Sequence, residues 1–490
     1  MEHQYFEQFI AGQFERADRY VESVNPSTGK AWAMVPMASE ADVDRAVRSA
    51  HDTLFSGSWA STTPTERGEM LTRLGNLLEQ NAERLAEFET RDTGKIIRET
   101  AGQIRYMAQF YRYFGGLADK VQGCHVGIDK PDLDVTIQRE PIGVVAAVVP
   151  WNSQFMLSAV KLGPALAAGC SVVLKASEDA PTPLLEFGRL VQEAGFPEGV
   201  VNILTGTGEE CGKVLTSHPL VARIAFTGGP ETARNVVRNS ADNLAHTTLE
   251  LGGKSPVVVF PDADLDSATN AVVAGIFAAS GQSCVAGSRL LVHESVRDEL
   301  VQRLLQKASA IRIGDPQDMA TEMGPLATNR QLEHVESLIA RAVEAGATLE
   351  CGGNRVDRGG GFYFEPTILG CSDSANPALK EEFFGPVLSV LSFENEAEAV
   401  ALANDTAYGL AAGVFTRDLA RGHRVVRSIR SGIVWVNTYR AVSPLVPFGG
   451  FGLSGYGREG GVESILDYTR GKAVWIRTSD EPIPDPFVMR

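Results

Sequence analysis

Cys284 sits in "GQSCVAGSR" (281–289), a run of small residues around one thiol. A buried structural cysteine usually keeps larger apolar company. Gly281, Ser283, Ala286, Gly287 and Ser288 suggest instead a sulfur that another molecule must approach. The thiolate is the nucleophile, and a free thiol with a pKa of about 8.5 is only slightly ionised at neutral pH. The chemistry on offer is attack on an electrophilic carbon such as a carbonyl. The other cysteines, Cys124, Cys170, Cys211, Cys351 and Cys371, form no C-x-x-C pair, and no histidine cluster has metal-ligand spacing, so no metal site is expected.

Two glycine-rich loops follow expected strands. "GTGEECG" (206–212) misses G-x-G-x-x-G because Cys211 takes the third glycine position, and "TGGPETA" (227–233) joins a strand to a helix. Either loop can set a helix N-terminus against a phosphate, although such turns are also ordinary α/β construction. "GGKS" (252–255) is not a P-loop, since Thr248 stands where that motif needs glycine.

These residues need a frame. Amphipathic helices are expected at 40–55 and 64–91, and a long one at 97–119. Short β-branched runs then alternate with helices: strands at 143–150, 171–175, 200–204, 222–226 and 247–251, helices at 157–169, 183–195, 208–217 and 231–240. This rhythm predicts a doubly wound parallel sheet that binds ligands beyond the carboxyl ends of its strands. A second α/β series begins at 256–260, with helices at 264–280, 295–310 and 329–345 and a strand at 433–437. A last strand, 471–477, follows a glycine-rich segment and is expected in a sheet elsewhere, a neighbouring subunit's being one option.

The chain has 490 residues, 44% hydrophobic and 22% charged, which suits a soluble protein of several domains. Its net charge of −16 argues against nucleic acid or anionic membrane as a general partner. Sparse, unpaired cysteine and an N-terminus without an apolar signal core point to the cytoplasm.

Taken together, "PWN" (150–152), "LKASE" (174–178), "FTGG" (226–229), "ELGGKSP" (250–256), "GQSCVAGSR", "EEFFGPV" (381–387), "NDTAYGLAAGVFT" (404–416) and "PFGGFGLSGYGRE" (447–459) resemble the aldehyde dehydrogenase superfamily, in its order and roughly its spacing. The resemblance implies an α/β fold with a Rossmann-like cofactor domain, an α/β catalytic domain and a small β oligomerisation element. Onto this chain it maps as a cofactor domain of 1–122 and 142–253, a catalytic domain of 254–446, and an oligomerisation element of 123–141 and 468–490 that makes a homodimer or homotetramer.

It also implies roles. Cys284 attacks an aldehyde, and the side-chain amide of Asn152 with the Cys284 N–H holds the oxygen of the thiohemiacetal. After hydride transfer, Glu250 activates water to hydrolyse the thioester, provided burial raises its pKa. Lys161 and Glu459 match a proton relay. Lys175 and Glu178 match residues around the adenosine ribose, where a carboxylate repels a 2′-phosphate, so NAD is expected over NADP. Trp151, Gly208, Phe226, Gly228, Gly229, Leu251, Glu382 and Phe384 complete the implied cofactor pocket. The loop "FTGGPETA" departs from the family's "FTGST-x-x-G" at Gly229, Pro230 and Ala233, which removes a hydroxyl near the pyrophosphate.

The implied substrate channel involves Tyr106, Ser153, Val160, Val285, Phe448 and the loop 438–446, and reads as roomy and apolar; Arg440 on that loop could meet a substrate carboxylate, but an exposed loop arginine is the commoner case. Two other reactions fit parts of the pattern. Coenzyme A could accept the acyl group, but Glu250 favours water; a cysteine-nucleophile esterase would need a histidine partner, and none is evident.

Overall fold

The computed structural model describes residues 4–483 and 485–488. Two large sheets organise them. The first has eight strands in the order Gly455–Tyr456, His246–Glu250, Val221–Thr227, Val144–Val148, Ser171–Ala176, Val201–Thr205, Gln8–Ile10 and Gln13–Glu15. Its five central strands are parallel, and both edges are closed by antiparallel pairing. These central strands are buried on both faces, which is why they read as continuous apolar runs rather than alternating ones. The chain order of the strands reverses between Val144–Val148 and Val221–Thr227, the topological switch point at which such sheets bind ligands.

The second sheet has seven strands, Thr348–Cys351, Thr367–Gly370, Val387–Phe393, Arg289–His293, Pro256–Val259, Ala411–Phe415 and Ile433–Val436, parallel except at the first. Separate apolar clusters fill the faces of each sheet. Among the described residues, no helix is long and apolar enough to cross a membrane.

Two expectations need correction. The helix read as 64–91 is two helices, Pro64–Gln80 and Ala82–Thr93. Asn81 divides them, because its side-chain amide donates to Leu77 O at 2.9 Å and competes with the helix ladder. The late strand, Thr469–Arg477, does not need a neighbour to pair. It runs antiparallel to Leu133–Pro141 of its own chain, from Thr469 opposite Pro141 to Arg477 opposite Leu133, and Cys124–His125 completes a third, three-stranded sheet.

Candidate active site

The thiol segment leaves the helix Leu265–Ile276 through three consecutive left-handed residues, Ala279, Ser280 and Gly281, with φ of 52°, 53° and 73°. Such backbone costs energy and persists only where neighbours hold it. Here they do. Both oxygens of Glu99 accept the Ala279 N–H, Ser280 Oγ donates to Gly324 O at 2.8 Å, and Gln282 Oε1 accepts from Ala327 N at 2.9 Å. At Gly281 a Cβ would lie 2.0 Å from Gly385 O, and at Gly253 one would lie 2.6 Å from Cys284 O. These two glycines let backbones of three motifs meet.

Cys284 emerges half-buried at one wall of a cavity of about 670 Å³, which Asn152, Ser153, Val160, Glu250, Leu251, Val285, Phe448 and Glu459 also line. Asn152 Nδ2 donates to Gln282 O at 3.0 Å, which fixes the amide and leaves its second N–H available. Burial, then the charges of Glu250 and Glu382, push the Cys284 thiol up to about 12. Glu250 ends the strand His246–Glu250; burial and the charge of Glu459 raise its pKa well above the ordinary carboxylate range, and both carboxyl oxygens lack a partner. Lys161, fully buried, donates to Thr227 Oγ1 at 2.7 Å and pairs with Glu459.

A second cleft, of about 1140 Å³, opens at the switch point and is lined by Trp151, Lys175, Glu178, Gly208, Phe226, Gly228 and Gly229. Thr227 lines both cavities, so they adjoin. Lys175 Nζ donates to Glu178 Oε2 at 2.9 Å. The helix Pro230–Asn239 presents an N-terminus whose cap, Gly229, offers no side-chain acceptor, and a Cβ at Gly208 or Gly229 would meet nothing within 4 Å. Open glycines, free helix N–H groups and a carboxylate at the far side suit a dinucleotide with its pyrophosphate at the helix and its ribose at Glu178.

Several expected residues stand differently. Leu251 lines the thiol cavity rather than the cleft. Glu382 and Phe384 adjoin the cleft through other residues: Glu382 accepts the Gly253 N–H at 2.8 Å and burial pushes it up to about 7, while Phe384, at a φ of 48°, stacks edge-on against Trp151 at 5.4 Å. Tyr106 stands behind the cavity wall, its hydroxyl donating to Val442 O at 2.7 Å. The cavity is less apolar than expected, because Lys95, Glu99, Gln103 and Arg440 line it too. The i, i+4 spacing of Glu99 and Gln103 on the expected helix was the available sign of a shared face, whereas Lys95 lies before that helix.

The model of the aldehyde dehydrogenase family matches residues 14–474. This chain belongs to the aldehyde dehydrogenase family. Among relatives, it is 59% identical over 488 residues, 99% of this chain and all of the other, to a (Z)-2-((N-methylformamido)methylene)-5-hydroxybutyrolactone dehydrogenase of Acinetobacter baylyi. Among solved structures, it is 36% identical to the betaine aldehyde dehydrogenase of Staphylococcus aureus in complex with NAD+, at a TM-score of 0.96 over 100% of this chain and 98% of that one. An NAD+ complex of an aldehyde dehydrogenase from Bacillus cereus is 38% identical, with a TM-score of 0.95 over 97% of each chain. The aldehyde dehydrogenase fold read from the motifs is therefore the fold of this chain, and the protein is an oxidoreductase of that family.

Proposed function

We propose that this aldehyde dehydrogenase oxidises an aldehyde to a carboxylic acid, with NAD as hydride acceptor and water as acyl acceptor. The observation that carries the reading is the convergence of Cys284, the Asn152 amide and Glu250 on one cavity that adjoins the switch-point cleft at Thr227. The Cys284 sulfur adds to the aldehyde carbon, and the thiol proton leaves. The resulting oxyanion is held by the free N–H of Asn152 and the backbone N–H of Cys284, donors already in place before charge develops. Lys175, Glu178 and the helix N-terminus at Gly229 would hold NAD in the cleft, where it would supply the acceptor for the hydride that leaves the thiohemiacetal carbon, so that Cys284 is left carrying a thioester. Glu250, once ionised, takes a proton from water, the hydroxide attacks the thioester, and the acid departs as the thiol re-forms. The buried Lys161–Glu459 pair, reaching the cavity at Glu459, offers a route for that proton. Glu178 beside the ribose supports NAD over NADP, and the three-stranded sheet supports a homo-oligomer.

The name of the Acinetobacter relative favours one class of substrate. Carbon 5 of a 5-hydroxybutyrolactone is at the aldehyde oxidation level. When the bond from that carbon to the ring oxygen breaks and the hydroxyl proton departs, the products are an aldehyde and a carboxylate on one molecule. A carboxylate-bearing aldehyde of this kind is the substrate class proposed here.

The test is to exchange Cys284 for alanine and follow NADH absorbance with benzaldehyde, hexanal, betaine aldehyde and succinic semialdehyde. Turnover is expected to fall by at least ~10³-fold with every aldehyde the native enzyme accepts. Undiminished turnover would overturn the reading.

A further inference from the structure

The cavity around Cys284 carries more charge than an aldehyde carbonyl requires. Most of it is already matched. Lys95 Nζ donates to Glu89 Oε1 at 2.9 Å and to Gln103 Oε1 at 2.8 Å. Glu99 accepts the Ala279 N–H, and Glu459 pairs with Lys161. Burial and the charge of Glu459 raise the pKa of Glu250 well above the ordinary carboxylate range.

Arg440 is the exception. It lines the same cavity, half-buried, and its guanidinium donates from Nη1 to Ala274 O at 2.9 Å. Among the described residues it meets no carboxylate, so a planar fork of donors remains unmatched beside the nucleophile. Its positive charge is near enough to favour the Cys284 thiolate.

The loop that carries Arg440 is fixed from three sides. Tyr439 Oη donates to Val285 O at 3.0 Å, Trp435 Nε1 to Ala441 O at 3.0 Å, and Tyr106 Oη to Val442 O at 2.7 Å. Arg440 itself has a φ of 63°, a left-handed backbone that a side chain with a Cβ rarely adopts. A merely solvated loop arginine needs neither the strain nor the anchors. Through Tyr439 the loop is tied to the residue that follows the nucleophile, so the cation and the thiol are held by one set of hydrogen bonds.

We infer that Arg440 is a specificity-determining residue, which binds the carboxylate of a substrate whose aldehyde end reaches Cys284. This rests on the aldehyde oxidation proposed above. A guanidinium holds a carboxylate through two parallel hydrogen bonds. A dianion such as phosphate suits the cavity less well, since Glu99 and Glu459 share its walls. Because the carboxylate exists only in the ring-open form of a hydroxylactone, Arg440 also selects the tautomer that carries the reactive aldehyde.

Two measurements on Arg440→Met and Arg440→Lys test this in the full-length enzyme. The first is the ratio of kcat/KM for succinic semialdehyde to that for butanal, in which a general loss of activity cancels. Arg440→Met is expected to lower the ratio roughly 30-fold, mainly through KM for succinic semialdehyde, and Arg440→Lys to retain an intermediate value. The second needs no turnover. The ratio of Cys284 alkylation rates by iodoacetate and iodoacetamide, read by mass spectrometry, is expected to fall about tenfold or more in Arg440→Met. Ratios unchanged by Arg440→Met would overturn the inference. If the native enzyme formed no NADH from any aldehyde, the proposed function would fail separately, and the alkylation ratio would still decide whether Arg440 binds carboxylates.

Discussion

Cys284 and Glu250 face one electrostatic problem from opposite ends of a reaction. Both line one cavity, and burial disfavours the charged form of each: the charge of Glu250 further raises the Cys284 thiol, and that of Glu459 further raises Glu250. This bears on pH in a definite direction. Glu250 acts as a base only when ionised, and its pKa lies above the usual range, so thioester hydrolysis should rise as pH climbs through that raised value and then level off. Glu250→Gln should lose the rising limb and turn over some 10²–10⁴-fold more slowly. It should still release a burst of about one NADH per active site in stopped flow, since hydride transfer precedes hydrolysis. A variant with no burst would place Glu250 in the first half-reaction instead. The family resemblance pointed to both residues and to the loop of Arg440, yet the sequence could not show that Leu251 faces the thiol cavity or that the Arg440 side chain lines it.

At the scale of elements, the run of small residues around Cys284 has two causes, only one of them legible. Read as a sequence, it suggests open space for a substrate. Ser283 and Val285 do line the cavity. Gly281 faces protein: its φ is +73°, and a Cβ there would sit 2.0 Å from Gly385 O. Gly287 is likewise close to Val257, with 2.7 Å between a built Cβ and Val257 Cγ2. The tightness of the site, rather than its openness, demands these glycines. Gly281→Ala combines a left-handed Cβ with a backbone clash, for an expected cost of about 2–4 kcal/mol. Thermal unfolding should register a lower Tm, and the alkylation rate of Cys284 should change because the turn that aims it must shift. An unaltered Tm would mean that the loop relaxes without resistance. The core strands were legible for a simple reason: burial on both faces leaves continuous apolar runs. The N-terminal strands Tyr20–Asn25 and Lys30–Pro36 were not, because their mixed burial produces no clear period.

For the whole molecule, the third sheet stands apart from the two that build the cavities. Thr469–Arg477 is its edge strand, with one side of its ladder unpaired, and Trp475 and Ile476 on it are 55% and 53% exposed. An exposed edge bearing large apolar side chains is a surface that a second copy can cover. Trp475→Asp combined with Ile476→Asp should lower the mass measured by light scattering while far-UV circular dichroism stays unchanged. If the native protein already scatters as a monomer, the sheet has no such role.

Local sequence determined the strand and helix alternation, the candidate nucleophile and the family, because these depend on residue type, short-range periodicity and the order of motifs. Tertiary structure alone decided which side chains share a cavity. Arg440 and Cys284 are separated by more than a hundred and fifty residues' worth of chain and by most of the second sheet, as the Tyr439–Val285 hydrogen bond with its separation of 154 shows. No local pattern encodes such a meeting, since it follows from the packing of whole elements. The same packing sets the burial that raises the pKa of Glu250 and leaves the Arg440 guanidinium without an acid partner among the described residues.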